Sequence, residues 1–272
     1  MEPHINISKW IESKAMRGHY TFTKVDLTEA FPEMTQNSIR IAISRQVAKK
    51  TIVSPWHNFY VIVPMEYKLK GVVPPLFYID GLMRFLGCNY YMALLNAAEM
   101  YGAAHQRPQN FSVFVEGKNM RSGVKASTEM LIYRRKQLPM GFVRKFQTTT
   151  GYINVSSPEL TALDLVNSEQ EVGGLTRVAT VLAELVEETR FQSTCAELLR
   201  VFPAPVFQRL GYLLECVLEE QTKADDLFEL TQSESLRFRK VPLKISKDIH
   251  ANDEVNKKWK VIVNQEIEID EL

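Results

Sequence analysis

Apolar positions in the first seventy residues recur in helical steps, interrupted by short β-prone runs. Ile7, Trp10, Ile11 and Met16 fall near one side of a helix over residues 4–17, with Asn6 or Ser8 as N-cap and Gly18 as stop. Tyr20 to Thr23 reads as a short strand. Thr23 to Asp26 then opens a second helix that reaches Phe31 and is halted by Pro32. Thr35 caps a third helix running to about Lys50. Thr51–Val53 and Phe59–Val63 follow as strands on either side of a turn-rich tip, Ser54-Pro55-Trp56-His57-Asn58. Helix, strand, helix, helix, hairpin is the order of a winged helix-turn-helix. In that arrangement the third helix enters the major groove of DNA.

At about 100° per residue, Ile39, Ala42, Ile43, Gln46 and Val47 share the inward face of the third helix, and Asn37, Ile41, Ser44, Arg45 and Ala48 point away. Arg can chelate guanine, Asn can chelate adenine, and Ile or Ala can touch a thymine methyl, so the outward face has the chemistry of base reading. Arg40, Lys49 and Lys50 flank it as phosphate contacts. Gln36, Asn37 and Ser38 offer a helix N-terminus to a backbone oxygen. Trp56 and His57 complete the candidate DNA-contacting set at the wing tip. Singly, such a helix is more often a plain surface helix, and winged folds also serve as protein-interaction modules.

Pro64 to Pro75, with three prolines and a glycine, marks a junction. The expected division is therefore 1–70 and 71–272. Tyr78–Leu86 and Tyr90–Ala104 read as helices, the second through Tyr91, Leu94, Leu95, Ala98 and Tyr101. The period then shortens. Phe111–Val115, Glu129–Tyr133, Gly141–Phe146 and Gly151–Val155 read as four strands of a mostly antiparallel sheet. A helix starts at Ser156 or Ser157, with Pro158 at its first position and Asp164 as a solvated or capping carboxylate. Residues 174–188, 192–201 and 206–218 are helical and form a layer for the sheet, and Lys257–Asn264 is strand-like. The expected class is α+β: an N-terminal winged helix-turn-helix and a larger C-terminal domain of sheet and helical layer.

Charge refines this picture. Residues 1–70 carry ten Lys and Arg against six Asp and Glu, whereas the remainder carries 23 against 26. Inside the C-terminal part, Arg107, Lys118, Arg121, Lys125, Arg134, Arg135, Lys136, Arg144 and Lys145 face only Glu116 and Glu129 over the same span. This cluster could form a second nucleic-acid surface, RNA being a candidate partner; equally, cations on strand edges serve to block aggregation. Cys88, Cys195 and Cys216 are odd in number and lack CxxC spacing, and the five histidines are scattered. No metal site or cofactor is expected, and a reducing cytosol is. The N-terminus lacks a signal pattern and no apolar run approaches the roughly 20 residues that span a bilayer, so a cytoplasmic protein without membrane contact is expected.

No phosphate loop, GxGxxG or GxSxG occurs. Glu116-Gly-Lys118 matches the second half of a PD-(D/E)xK nuclease pattern. That chemistry needs a further carboxylate to share a metal, and between Gly81 and Val115 the only one is Glu99. A nuclease is the enzymatic alternative; a plain regulator is the other.

Five ordered stretches resemble one family: Tyr90–Glu99 (YYMALLNAAE), Gly102–Gln106 (GAAHQ), Ser157–Val166 (SPELTALDLV), Gln208–Glu215 (QRLGYLLE) and Trp259–Asn264 (WKVIVN). Together they resemble the AbiEi antitoxins of bacterial abortive-infection (type IV toxin–antitoxin) systems. The resemblance implies a non-enzymatic protein with two roles. An N-terminal winged helix would repress the protein's own operon at inverted repeats in double-stranded promoter DNA. A C-terminal domain would counteract a cognate nucleotidyltransferase toxin without an obligatory stable complex. The DNA-reading role would fall on Gln36 to Lys50 and on the wing, Pro55 to Asn58. The wing departs from the glycine-containing basic wing that such families often carry.

Overall fold

The computed structural model describes residues 6–69, 72–103, 108–118, 120–245 and 247–269. The chain divides into two compact units. The first comprises Met1–Tyr91, Gln109–Leu138 and Lys145–Asn154, and the second Met92–Pro108, Pro139–Arg144 and Val155–Leu272.

The first unit begins with helix α1 (Ile7–Met16), strand β1 (Thr21–Thr23), helices α2 (Lys24–Ala30) and α3 (Gln36–Ala48), and strands β2 (Ile52–Trp56) and β3 (Phe59–Ile62). Each helix has a local reason to start where it does. Asn6 Oδ1 accepts from Lys9 N at 3.0 Å, Thr23 and Asp26 form a reciprocal capping box, and Thr35 Oγ1 accepts from Ser38 N at 3.1 Å. The three strands form an antiparallel sheet in the order β1-β3-β2. Ile7, Ile11, Phe22, Leu27, Ile39, Ile43, Ile52, Tyr60 and Ile62 make one core with Trp10 packed against it, whose ring meets Phe22 edge-on at 5.4 Å.

The same unit continues through α4 (Ile79–Leu86), which packs on this sheet: the rings of Phe59 and Phe85 lie 5.5 Å apart. Tyr90–Met92 is a strand, β4, rather than the start of a helix, and helix α5 is confined to Leu94–Met100. Tyr90, Tyr91 and Met92 are buried side by side, as in a strand enclosed on both faces, and Ala93 is extended. Beyond them lie β5 (Phe111–Glu116), β6 (Gly123–Lys125) and β7 (Thr128–Arg135).

The expectation of a mostly antiparallel sheet needs correction. β7 lies between β5 and β6; it is antiparallel to β6 but parallel to β5 over six residue pairs, from Phe111↔Met130 to Glu116↔Arg135. Five consecutive residues of β5 are buried, the signature of a strand covered on both faces. Strands β8 (Val143–Thr148) and β9 (Gly151–Ser156) follow, and Met92 of β4 pairs with Val155 of β9, again in parallel. Gly141 and Phe142, expected in a strand, lie in a 3₁₀ turn.

The second unit is mainly helical. It contains α5, α6 (Pro158–Asn167), α7 (Leu175–Leu185), α8 (Leu198–Val201), α9 (Ala204–Tyr212) and α10 (Gln221–Ser233), then a small sheet. The sheet consists of β10 (Val241–Pro242), β11 (Glu254–Asn256) and β12 (Val261–Val263), with β12 in the middle. Helix α6 is its centre, with every residue from Pro158 to Val166 buried. Asp164 is accordingly fully buried and not a solvated carboxylate.

Candidate nucleic-acid interface

From Thr35 to Val63 the chain carries Arg40, Arg45, Lys49 and Lys50 and no carboxylate. Helix α3 turns Ile39, Ile43 and Gln46 into the core. Gln46 is an interior residue because its amide is matched: Nε2 donates to Ser8 Oγ at 2.6 Å, and Oε1 accepts from Thr51 Oγ1 at 2.6 Å. Val47, assigned inward by its angle on the helical wheel, is 40% exposed, one residue before the helix ends.

The opposite face is open. Gln36, Asn37, Ser38, Arg40, Ile41, Ser44, Arg45, Lys49 and Lys50 are all exposed. Arg40 donates to Asn37 Oδ1 at 2.9 Å, so these two groups already share one orientation. Lys50 takes φ 53, and its N–H bonds to the Val47 carbonyl at 2.9 Å, ending the helix with its two lysines outward. Four cations and amide and hydroxyl groups on one face, without an opposing acid, can neutralise phosphates and present donors to base edges.

The turn between β2 and β3 is shorter than its sequence suggests. Ser54 to Trp56 belong to β2, and the turn is only His57-Asn58, with Asn58 at φ 60. Pro55 is buried, His57 is exposed, and Trp56 is half-buried with Lys125 Nζ 4.7 Å from its ring centroid. Trp56 thus packs against β6 of its own unit.

The basic stretch of the C-terminal part does not behave as one row. Arg107 lies outside the described residues. Lys118, Arg121, Arg134, Lys136, Arg144 and Lys145 are exposed. Lys118 donates to the Leu86 carbonyl. Arg134 and Arg135 are consecutive on β7 and so point to opposite faces. The Arg135 guanidinium lies 4.4 Å from the Phe114 ring centroid and donates to the Tyr91 hydroxyl. Arg144 stands 5.9 Å from the ring centroid of Tyr101, whose hydroxyl burial pushes up to about 12. Glu116, the carboxylate of the nuclease-like pattern, accepts from Asn89 Nδ2 at 2.6 Å and from Leu138 N at 3.2 Å.

In the second unit the quoted motif residues do structural work. Ser157 Oγ accepts from Leu160 N at 3.3 Å as the cap of α6 and donates to Glu159 at 2.8 Å. The other Glu159 oxygen accepts from Arg190 N at 2.8 Å. Ser157→Ala is expected to cost about 1 kcal/mol, read as a lower urea midpoint at unchanged slope.

Trp259, fully buried, lies against Gly211 of α9. Its indole N–H donates to Glu215 at 2.8 Å, and its carbonyl accepts from Gln208 Nε2 at 2.7 Å. Arg209 Nε donates to the Pro242 carbonyl at 3.0 Å, and Asn264 Oδ1 accepts from Lys244 N at 3.0 Å. Gln208, Arg209, Gly211 and Glu215 thereby fasten the small sheet to α9. In the sequence these residues stand out only through the family resemblance of Gln208–Glu215. Among the described residues no group of three or more His, Cys, Asp and Glu could hold a metal, and no helix is long and apolar enough to cross a membrane.

The fold is similar to the crystal structure of the RV2827C protein from Mycobacterium tuberculosis. The TM-score is 0.70 at 14% identity, over 94% of this chain and 90% of that one. An antigenic nucleotidyltransferase-like protein from Paracoccidioides brasiliensis aligns at TM-score 0.36 and 10% identity, over 55% of this chain and 88% of that one. No curated protein matches the sequence. Residues 91–216 match the family model of the AbiEi antitoxin C-terminal domain, so this part of the chain is an AbiEi antitoxin domain.

Proposed function

We propose that this antitoxin is also a DNA-binding transcriptional autorepressor, with a winged helix-turn-helix over residues 1–70 that reads inverted repeats in its own promoter. Residues 71–272 form the antitoxin domain and counteract a nucleotidyltransferase toxin in the cytoplasm without requiring a stable complex. The observation that carries the DNA-reading role is the outer face of α3: it is exposed, basic and acid-free, with Asn37 and Arg40 already paired. The order of elements and the three-stranded sheet behind α3 support the same reading. The exposed cations Arg134, Lys136 and Lys145 of the first unit are the proposed antitoxin surface, with RNA as a candidate partner; Arg135 is occupied by Phe114 and Tyr91. A nuclease is disfavoured because both oxygens of Glu116 are engaged by Asn89 and Leu138.

The two roles are separable by experiment. In cells carrying a promoter reporter and a growth-arresting nucleotidyltransferase toxin, the Arg45→Ala variant should lose repression yet still rescue growth. The Arg134→Glu, Lys136→Glu variant should do the reverse. If both variants lost both activities together while remaining folded, the division of roles would be wrong.

A further inference from the structure

In the DNA-reading arrangement proposed above, a wing normally contributes a phosphate contact of its own. Here β2, β3 and the turn between them offer no Lys or Arg for one from Thr51 to Val63. The tip is instead built to hold an aromatic ring. The pairing of β2 with β3 shifts between Val53 and Trp56, and Ser54 Oγ donates to the carbonyls of Trp56 at 2.9 Å and Phe59 at 3.1 Å. This bulge holds Trp56 half-buried beneath the ammonium of Lys125.

Lys125 ends β6, which with β7 forms a hairpin inside the same compact unit. The hairpin and the approach to it carry Lys118, Arg121 and Lys125, with no carboxylate from Gly117 to Thr128. Lys118 is engaged by the Leu86 carbonyl, and Arg121 is exposed. No carboxylate pairs with Lys125 among the described residues. A cation resting on an aromatic face is fixed in place but keeps its charge. The hairpin turns through Ala126 at φ 47 and Ser127 at φ 69, a left-handed pair that two-residue turns usually assign to Asn-Gly. The two small residues keep the tip free of bulk beside Lys125.

We propose that the β6–β7 hairpin acts as a second wing: Lys125, seated on Trp56, and Arg121 contact the phosphates flanking the segment that α3 reads. The inference rests on the DNA-reading role of α3. It assigns to the antitoxin domain's own strands the phosphate contact that the first wing lacks.

The test is a titration of the full chain against a labelled duplex of its own upstream region and a scrambled duplex at several salt concentrations. Lys125→Met keeps an apolar stem over the indole and removes the charge; Arg121→Ala removes an exposed charge; Lys125→Arg restores one. Each neutral variant should lower the slope of log K against log salt by about 1 and weaken binding about fivefold near 0.15 M salt. The loss should be equal on both duplexes, since phosphate contacts carry no sequence information, and Lys125→Arg should regain the wild-type slope.

If Lys125 is a packing residue alone, Lys125→Met lowers the melting temperature and leaves the slope unchanged. Wild-type binding with unchanged slopes in both neutral variants overturns the second wing and leaves the reading of α3 intact. A wild-type chain that binds neither duplex overturns both. Should Lys125→Met fail to fold, Arg121→Ala, whose side chain is exposed, decides the matter.

Discussion

Replacing Arg40 and Arg45 together by alanine should weaken binding to the protein's own upstream DNA by at least about thirtyfold while leaving the fold untouched. Both side chains are exposed, and the described contact of Arg40 is the bond to Asn37 on the same helix, so their removal opens no cavity and orphans no buried group. A bidentate arginine contact to a base edge contributes roughly 1–3 kcal/mol of discrimination. One such contact from Arg45, together with a phosphate contact from Arg40, corresponds to roughly 2–4 kcal/mol, and about 1.4 kcal/mol is a factor of ten. The double variant should therefore retain the weak, salt-sensitive attraction supplied by Lys49, Lys50, the helix end and the β6–β7 cations, with specific and scrambled duplexes bound nearly alike. Thermal unfolding is the control, with a midpoint expected within about 2 °C of wild type. Near-wild-type affinity for the specific duplex would remove α3 as the reading element.

The second large effect concerns the other unit. Gly211→Ala should destabilise it by about 3 kcal/mol or more, although alanine is the better helix former by roughly 1 kcal/mol. A Cβ at Gly211 would lie 2.2 Å from Cη2 and Cζ3 of Trp259 and 2.4 Å from Cε3, so the indole would have to move. Trp259 is held from several sides: its indole N–H by Glu215 at 2.8 Å, its backbone carbonyl by Gln208 at 2.7 Å, and its ring by Phe228, with centroids 5.4 Å apart. Lys258 pairs with the same Glu215 at 2.6 Å and with Asp225 at 2.7 Å. Partial burial works to lower the Lys258 ammonium, but the bonds to Asp225 and Glu215 outweigh it and hold the group above its ordinary value.

At roughly 2–4 °C per kcal/mol for a unit of this size, the melting midpoint should fall by about 6–12 °C. Pairing Gly211→Ala with Trp259→Leu should recover part of the loss, because the clash and the large side chain are removed together. An unchanged or raised midpoint for Gly211→Ala alone would show that the ring yields, and the lock between α9 and the small sheet would not be a lock.

The parts of the fold that were legible in the sequence are those with local causes. Thr23 with Asp26, Thr35 and Ser157 cap the helices expected of them, and the inward set of α3 survives in Ile39, Ile43 and Gln46. Periodicity misled where both faces of an element are buried: Tyr90–Met92 carries no polar alternation, so its apolar run fits a helix as well as a strand. The same enclosure hid Asp164, because α6 has no solvent side on which to place a carboxylate.

Helix α10 went unrecognised although Ala224, Leu227, Leu230 and Thr231 are spaced for one buried stripe; its acidic and polar residues between them masked the stripe. What no local pattern could supply are meetings of residues distant in sequence. Lys125 over Trp56, and Trp259 against Gly211, are set by tertiary packing, and each changes a functional reading. The first makes Trp56, a candidate DNA contact, a brace for Lys125, and the second makes a family motif a structural fastening. The split of Arg134 and Arg135 between two faces, by contrast, follows from the period of a strand and was readable in advance.

Whether α3 reads DNA is decided by a fluorescence anisotropy titration of the full chain against its own upstream duplex and a scrambled duplex of equal length, at about 0.15 M salt. Specific reading requires the upstream duplex to bind at least about a thousandfold more tightly, with protection confined to the inverted repeats in a footprint of the same DNA. Equal affinity for the two duplexes, or binding to neither, would contradict it.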